Sequence, residues 1–268
     1  MLCLEKVSIG SVAEFLQTHT ISWRELSQML QNVSQAIALL HNNCKSKDRN
    51  GRQITICHRA LHLENILLRQ DLSCCVSNFE HSFLSASTFQ HSALDFGSNN
   101  NDFVKIRYLA PELLDEVLNL NNLENSLKQV DVYALGLIFW EMSRRCRDLY
   151  QGSAIPQFEL VYAQELGHDI DPSLEQMKIL VAKNRARPLF PQVWKDSNPA
   201  IRLLKETITE AWDDDGEARL TSSCINERFQ ELQPLWNKYK LVSQGPPLVD
   251  KSWLNNTSPS DNFQRYFG

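Results

Sequence analysis

One stretch, Lys128 to Arg144, limits the folds open to this chain more than any other. It reads KQVDVYALGLIFWEMSR and is apolar all round its middle. A helix that is apolar on every side has to be wrapped by other elements rather than laid on a surface. Its apolar run, Ala134 to Trp140, is bracketed by Asp131 and Glu141 and falls well short of the roughly 20 residues that span a bilayer. The chain should therefore be built round a buried central helix. Its 268 residues, 43% of them hydrophobic, supply core enough for one large domain or two small ones.

Elements to wrap that helix are readable on both sides of it. Residues 1–8 look like a short strand, Ile9-Gly10-Ser11 breaks it, and Val12 to Leu16 is helical. Ser22 with Glu25 three residues on is a capping pair, and Leu26, Met29, Leu30, Val33, Ile37 and Leu40 form a stripe at helical spacing ending near His41. Ile54 to Cys57, Ile66 to Leu68 and Cys74 to Val76 have the short apolar character of strands, separated by polar, turn-rich residues. Phe79 to Asn101 has no sustained period and reads as a long loop. Ala200 to Trp212 and Ser222 to Leu232 are amphipathic helices, and a polar tail follows. The organisation expected is a strand remnant at 1–9, a mainly helical lobe at 10–235 and a tail at 236–268.

Composition removes several function classes. With 27 Lys+Arg against 32 Asp+Glu, the net charge of -5 offers no basic field for nucleic acid. The seven cysteines form no C-x-x-C pair and fit neither a zinc site nor a disulfide framework, so reduced thiols in a cytosolic setting are expected. Glu5 and Lys6 interrupt any signal-like start, so no targeting or membrane segment is expected in the chain as written.

Chemistry enters with ICHRALHLENILL, residues 56–68. The catalytic loop of protein kinases runs H-R-D-L-x-x-x-N. Here His58, Arg59, Leu61 and Asn65 stand in place, with Ala60 at the Asp position. Thirteen residues after Asn65, where D-F-G belongs, stands Asn78-Phe79-Glu80; Ala110-Pro111-Glu112 then answers to A-P-E, and Asp131 lies in the central helix. Trp212 and Arg219 fit the place of the arginine that pairs with the A-P-E glutamate. Five landmarks in order identify a resemblance to the kinase C-terminal lobe: mainly α, with a few short β-strands.

Finer segments resemble the type II receptor serine/threonine kinases of the activin, bone morphogenetic protein and TGF-β family. They are RYLAPELLDE (107–116), LKQVDVYALGLIFWEMSRRCRDL (127–149), RPLFPQVW (187–194) and LKETITEAWDDDGEARLT (204–221), and the resemblance covers roughly residues 1–235. It implies a membrane receptor whose cytoplasmic kinase uses Mg-ATP and phosphorylates a type I receptor. The domain would then lie at the cytoplasmic side of the plasma membrane.

The departures from that pattern bear on catalysis. In the family the Asp at position 60 orients the substrate hydroxyl and accepts its proton, and the Asp at position 78 grips magnesium. Ala60 does neither. Asn65 and Asn78 offer neutral oxygens, whereas magnesium is normally anchored by carboxylates, so weak metal binding at best is expected. Glu80 brings an anion where phosphates would lie. The sequence begins at what resembles the last N-lobe strand, so the Gly-rich loop, strand lysine and helix glutamate have no counterpart and the N-lobe is expected to be absent. Leu67 is left as the floor of an adenine pocket, with Leu4 to Ser8 as its edge, and no cofactor is expected to bind. Restoring Ala60, Asn78 and Glu80 to the family residues is expected not to rescue phosphate transfer.

His58 and Arg59 are read as structural. Asp131 is expected to accept backbone N–H groups of the loop, and Glu112 and Arg219 to form a largely buried ion pair. Asp95-Phe96-Gly97 spells D-F-G too late in the chain to serve as one. An apolar patch is expected to be exposed around the hinge and the helix beginning at Trp23, and the aromatic residues of the tail, Trp236 among them, to dock either on a partner or on the lobe. Two functions remain open: a pseudokinase module that binds type I receptors or other proteins of the pathway, and part of an active receptor kinase.

Overall fold

The structure, a computed structural model, describes residues 9–42, 51, 54–85, 106–167 and 172–243. The readings of residues 1–8, of Asp95-Phe96-Gly97 and of the tail beyond Ser243 lie outside these.

The chain enters through a two-residue strand, β1 (Gly10–Ser11), and a short helix, α1 (Val12–Thr18). Ser11 Oγ accepts from the Glu14 N–H while the Glu14 carboxylate accepts from the Ser11 N–H at 2.9 Å, closing a capping box at the turn from strand to helix. Helix α2 (Trp23–Asn42) repeats the device with Ser22 and Glu25 and buries the stripe Leu26, Met29, Leu30, Val33 and Ile37.

Four short strands follow: β2 (Ile56–Cys57), β3 (Ile66–Leu68), β4 (Cys74–Val76) and β5 (Phe83–Leu84). The antiparallel sheet β1-β3-β4 pairs Ser11 with Leu67 and Leu67 with Cys75. A second pair, β2-β5, sets Cys57 against Phe83. Strand β5 falls inside the stretch from Phe79 that the sequence suggests is loop. Two residues carry too little period to declare a strand, and the pairing comes from β2 rather than from local preference.

The helical half is α3 (Pro111–Leu114), α4 (Leu123–Arg144), α5 (Ala163–Leu166), α6 (Leu174–Met177) running into a π-helical turn at Lys178–Lys183, α7 (Pro199–Ala211), α8 (Ser222–Gln230) and α9 (Leu232–Ser243). Helix α4 is the wrapped central helix: Val132, Leu135, Ile138 and Phe139 are all buried. Gly136 is what lets α7 lie close. A Cβ at that position would stand 3.2 Å from both the Trp212 Cβ and the Trp212 backbone nitrogen, so α4 and the end of α7 meet nearly backbone to backbone.

Beyond Leu232 the structure departs from the expected polar tail. Leu232–Ser243 is helix, Leu232 and Trp236 are buried, and the Trp236 ring stacks on Trp23 with centroids 4.3 Å apart. The start of α2 at Trp23 is therefore covered by the helix that follows Leu232 rather than exposed, and the hinge part of the expected patch lies outside the described residues. The Trp236 indole supplies the apolar surface that Trp23 needs, and Pro234, which reads as a breaker in sequence, stands in the first turn of α9, where no backbone donor is missed.

Candidate functional site

The loop between β2 and β3 carries the residues singled out from sequence, and Asp131 of α4 holds it from below. Its Oδ2 accepts the His58 N–H at 2.6 Å and its Oδ1 the Arg59 N–H at 2.7 Å. Arg59 has φ 66°, a left-handed conformation that costs an L-residue about 1 kcal/mol, and the carboxylate's grip on its N–H offsets that cost. The Arg59 guanidinium reaches the His81 carbonyl at 3.1 Å, tying the loop to the segment after Asn78.

His58 is buried in one tautomer. Its Nε2 donates to the Ser77 carbonyl at 2.8 Å and its Nδ1 accepts the Ala60 N–H at 3.3 Å. Burial lowers its pKa below the usual histidine value, with Asp131 opposing, so the ring is held neutral. The Phe79 ring meets it edge-on at 5.0 Å.

Ala60 is buried, and its carbonyl accepts from Asn65 Nδ2 at 2.7 Å. The same amide group donates to His62 Nε2 at 2.8 Å, and Asn65 Oδ1 accepts from Asn78 Nδ2 at 3.3 Å. The two amides expected as weak metal ligands are thus bonded to each other and to the loop. Asn78 has φ 60° and is exposed, as are Phe79 and Glu80. Leu67 sits in the middle of β3, half-buried, between Ser11 and Cys75, and Leu4 to Ser8 lie outside the described residues.

Glu112 and Arg219 meet away from this loop. Arg219 Nη1 lies 2.7 Å from Glu112 Oε1, and Nη2 lies 2.8 Å from Oε2. The arginine side chain is 0% exposed and the glutamate 18%.

Two residues near Asp131 and Asn65 escaped the sequence reading. His62 occupies one of the unspecified positions of the motif and is buried, its ring 6.0 Å from that of Tyr108. His41, at the end of α2, places Nε2 3.0 Å from Asp131 Oδ2. A signal for His41 was present: it stands four residues after Ile37 on a buried stripe, and a polar group on such a face needs a partner.

Residues 1–229 match the protein kinase domain family. The chain is 36% identical to the TGF-beta receptor type-2 of Rattus norvegicus over 224 residues, 84% of this chain and 37% of the relative. It is 31% identical to the human (Homo sapiens) activin receptor type-2A over 228 residues, 85% of this chain and 42% of the relative. The chain belongs to the type II receptor serine/threonine kinase family. As a member of it, the lobe keeps the loop scaffold on Asp131 and carries Ala60 and Asn78 where the family pattern has aspartates. The chain spans about two fifths of the length of these relatives. Among the described residues no helix is long and apolar enough to cross a membrane.

Proposed function

We propose that this chain is a pseudokinase lobe of the type II TGF-β/BMP receptor family that acts in receptor signalling by binding protein, without transferring phosphate. The observation that carries the proposal is the state of the loop: a methyl group at position 60, and both Asn65 and Asn78 amides spent on one another and on the Ala60 carbonyl. Phosphoryl transfer rests on positioning and on charge stabilisation by metal and base. The residues present do not fit the family's magnesium-nucleotide, because at position 78 a neutral amide replaces the carboxylate that anchors the metal beside Asn65, and Glu80 adds negative charge next to it.

The partner class the family suggests is the kinase domain of a type I receptor or another protein of the pathway, met at the cytoplasmic side of the plasma membrane if the chain belongs to a longer receptor. The scaffold supports that role, since the Asp131 and Arg219 contacts preserve a rigid lobe independently of catalysis.

A second reading, part of an active kinase that phosphorylates type I receptors, draws on the span of the chain, about two fifths of its relatives. Radiolabel transfer to a type I receptor kinase domain, with a Mg-ATP thermal-shift titration, separates the two. The proposal expects no label and no shift for the 268-residue chain, with saturable binding of the type I domain by calorimetry. Label transfer by the parent chain would establish the second reading, and absence of binding would remove the partner assigned here. In the 268-residue chain the triple variant Ala60→Asp, Asn78→Asp, Glu80→Gly is expected to stay silent, because phosphoryl transfer rests on positioning of the nucleotide as well as on a base and a metal ligand.

A further inference from the structure

We propose that His41, Cys57 and Asp131 form a buried site for a thiophilic divalent cation of the zinc class, placed under the degenerate loop. The three come from different elements: His41 from the end of α2, Cys57 from β2, Asp131 from α4. Their ligand atoms all lie within 4.8 Å of one another, and the residues are 2%, 0% and 1% exposed. No spacing rule links positions 41, 57 and 131, which is why counting cysteines for C-x-x-C pairs gave no zinc site.

The donor set decides the class of ion. An imidazole nitrogen, a thiolate and a carboxylate oxygen are ligands that zinc takes in tetrahedral sites, whereas magnesium and calcium favour oxygen alone. Three protein ligands leave the fourth position of a tetrahedral site to water, and the Glu124 carbonyl, which the Cys57 thiol contacts at 3.7 Å, borders the cluster. Asp131 is already engaged, and this does not close the site. A carboxylate has about four lone-pair positions, and the two backbone N–H groups of His58 and Arg59 use one on each oxygen. The His41 contact on Oδ2 is the one a metal would replace. Those two N–H groups then act as the outer partners that orient a ligating carboxylate.

Protons balance simply. Burial and the Asp131 charge raise the Cys57 thiol above its usual pKa, so it is protonated in the free chain. On binding, the thiol releases one proton to solvent, and His41 presents Nε2 to the metal in place of its contact with Asp131. The charged groups that face the cluster are Glu124 and Lys128, which are ion-paired at 2.9 Å, and Arg59. Glu124 is bonded to Thr55 Oγ1 at 2.8 Å and its side chain is 43% exposed, giving an anionic group at the outer edge of the cluster. A bound ion would join α2, β2 and α4 at the point where Asp131 holds the loop.

The test uses the full chain. Cobalt(II), which replaces zinc in such sites, gives a sulfur-to-metal charge-transfer band in the near ultraviolet when a thiolate binds it. We expect one equivalent of cobalt to produce the band, zinc to displace it, and zinc to raise the melting temperature of the parent. Cys57→Val should abolish the band while Cys75→Ser, at a half-buried thiol outside the cluster, retains it. His41→Gln keeps an N–H for Asp131 but removes the imidazole, and should weaken zinc by more than the roughly 10- to 100-fold that loss of an outer partner costs. Should Cys57→Val fail to fold, His41→Gln alone carries the decision. No band in the parent, a band that survives Cys57→Val, or unchanged zinc affinity in His41→Gln would each overturn the proposal.

Discussion

Arg219 and Glu112 stand 107 positions apart in sequence and meet through two parallel hydrogen bonds of 2.7 and 2.8 Å. The guanidinium also donates to the Gln129 carbonyl at 3.0 Å and to the Asp213 carbonyl at 2.8 Å, so it joins α3, α4 and the segment before α8. Removing Arg219 leaves the largely buried Glu112 carboxylate without its partner, and removing Glu112 strands a fully buried guanidinium. Arg219→Ala should cost roughly 3–5 kcal/mol, measured by urea unfolding. Arg219→Lys should recover only part of it, because an ammonium cannot make the two-pronged contact. A melting curve for Arg219→Ala that overlays the parent's would contradict this account of the pair.

Trp236 seals the start of α2. Its ring lies 4.3 Å from Trp23 at an interplanar angle of 12°, and Lys240 sits over its outer face at 5.2 Å. Trp236→Ala opens a cavity against a residue that is 1% exposed and should destabilise the fold by about 3–5 kcal/mol. A chain ended at residue 235 should show the same loss and a gain in hydrophobic-dye binding. If both variants melt like the parent and bind no dye, α9 does not belong to the cooperative unit.

The parts of this fold that were legible in sequence are those fixed by chemistry with few alternatives. Asp131 was legible because a carboxylate in an otherwise apolar helix must accept hydrogen bonds somewhere, and the loop motif supplied their source. The Ser22–Glu25 cap was legible because capping is local. Strand β5 and helix α9 were not. Phe83 and Leu84 are strand only because β2 lies beside them, and α9 mixes Gln, Asn, Lys and Pro with its apolar residues, so its buried side is defined by Trp23 rather than by its own period. The contact of His41 and Cys57 with Asp131 was hidden for the same reason. It exists only once α2, β2 and α4 have packed.

Glu141 gives the fold a pH dependence of definite sign. Its carboxyl accepts from the Tyr108 hydroxyl at 2.7 Å and from the Val161 N–H at 2.7 Å. Burial nevertheless pushes its pKa up from 4.5 to about 8, with the Tyr108 and Val161 hydrogen bonds and the nearby Arg107 and Arg144 opposing. In the unfolded chain the group returns to its ordinary value. Between about 4.5 and about 8 the native protein therefore holds a proton that the unfolded chain releases. The stability this contributes is complete below about 4.5 and is lost as pH rises through about 8. His58 acts in the opposite sense: its lowered pKa makes its contribution complete above the usual histidine value and lost as pH falls. The two separate if melting is followed upward from about pH 7, where His58 no longer titrates. Glu141→Gln keeps an acceptor for Val161 and a donor for Tyr108 but cannot ionise. The parent's melting temperature should fall relative to that variant's from about pH 7 to about pH 9, and parallel curves across the interval would show that Glu141 is already ionised at neutral pH.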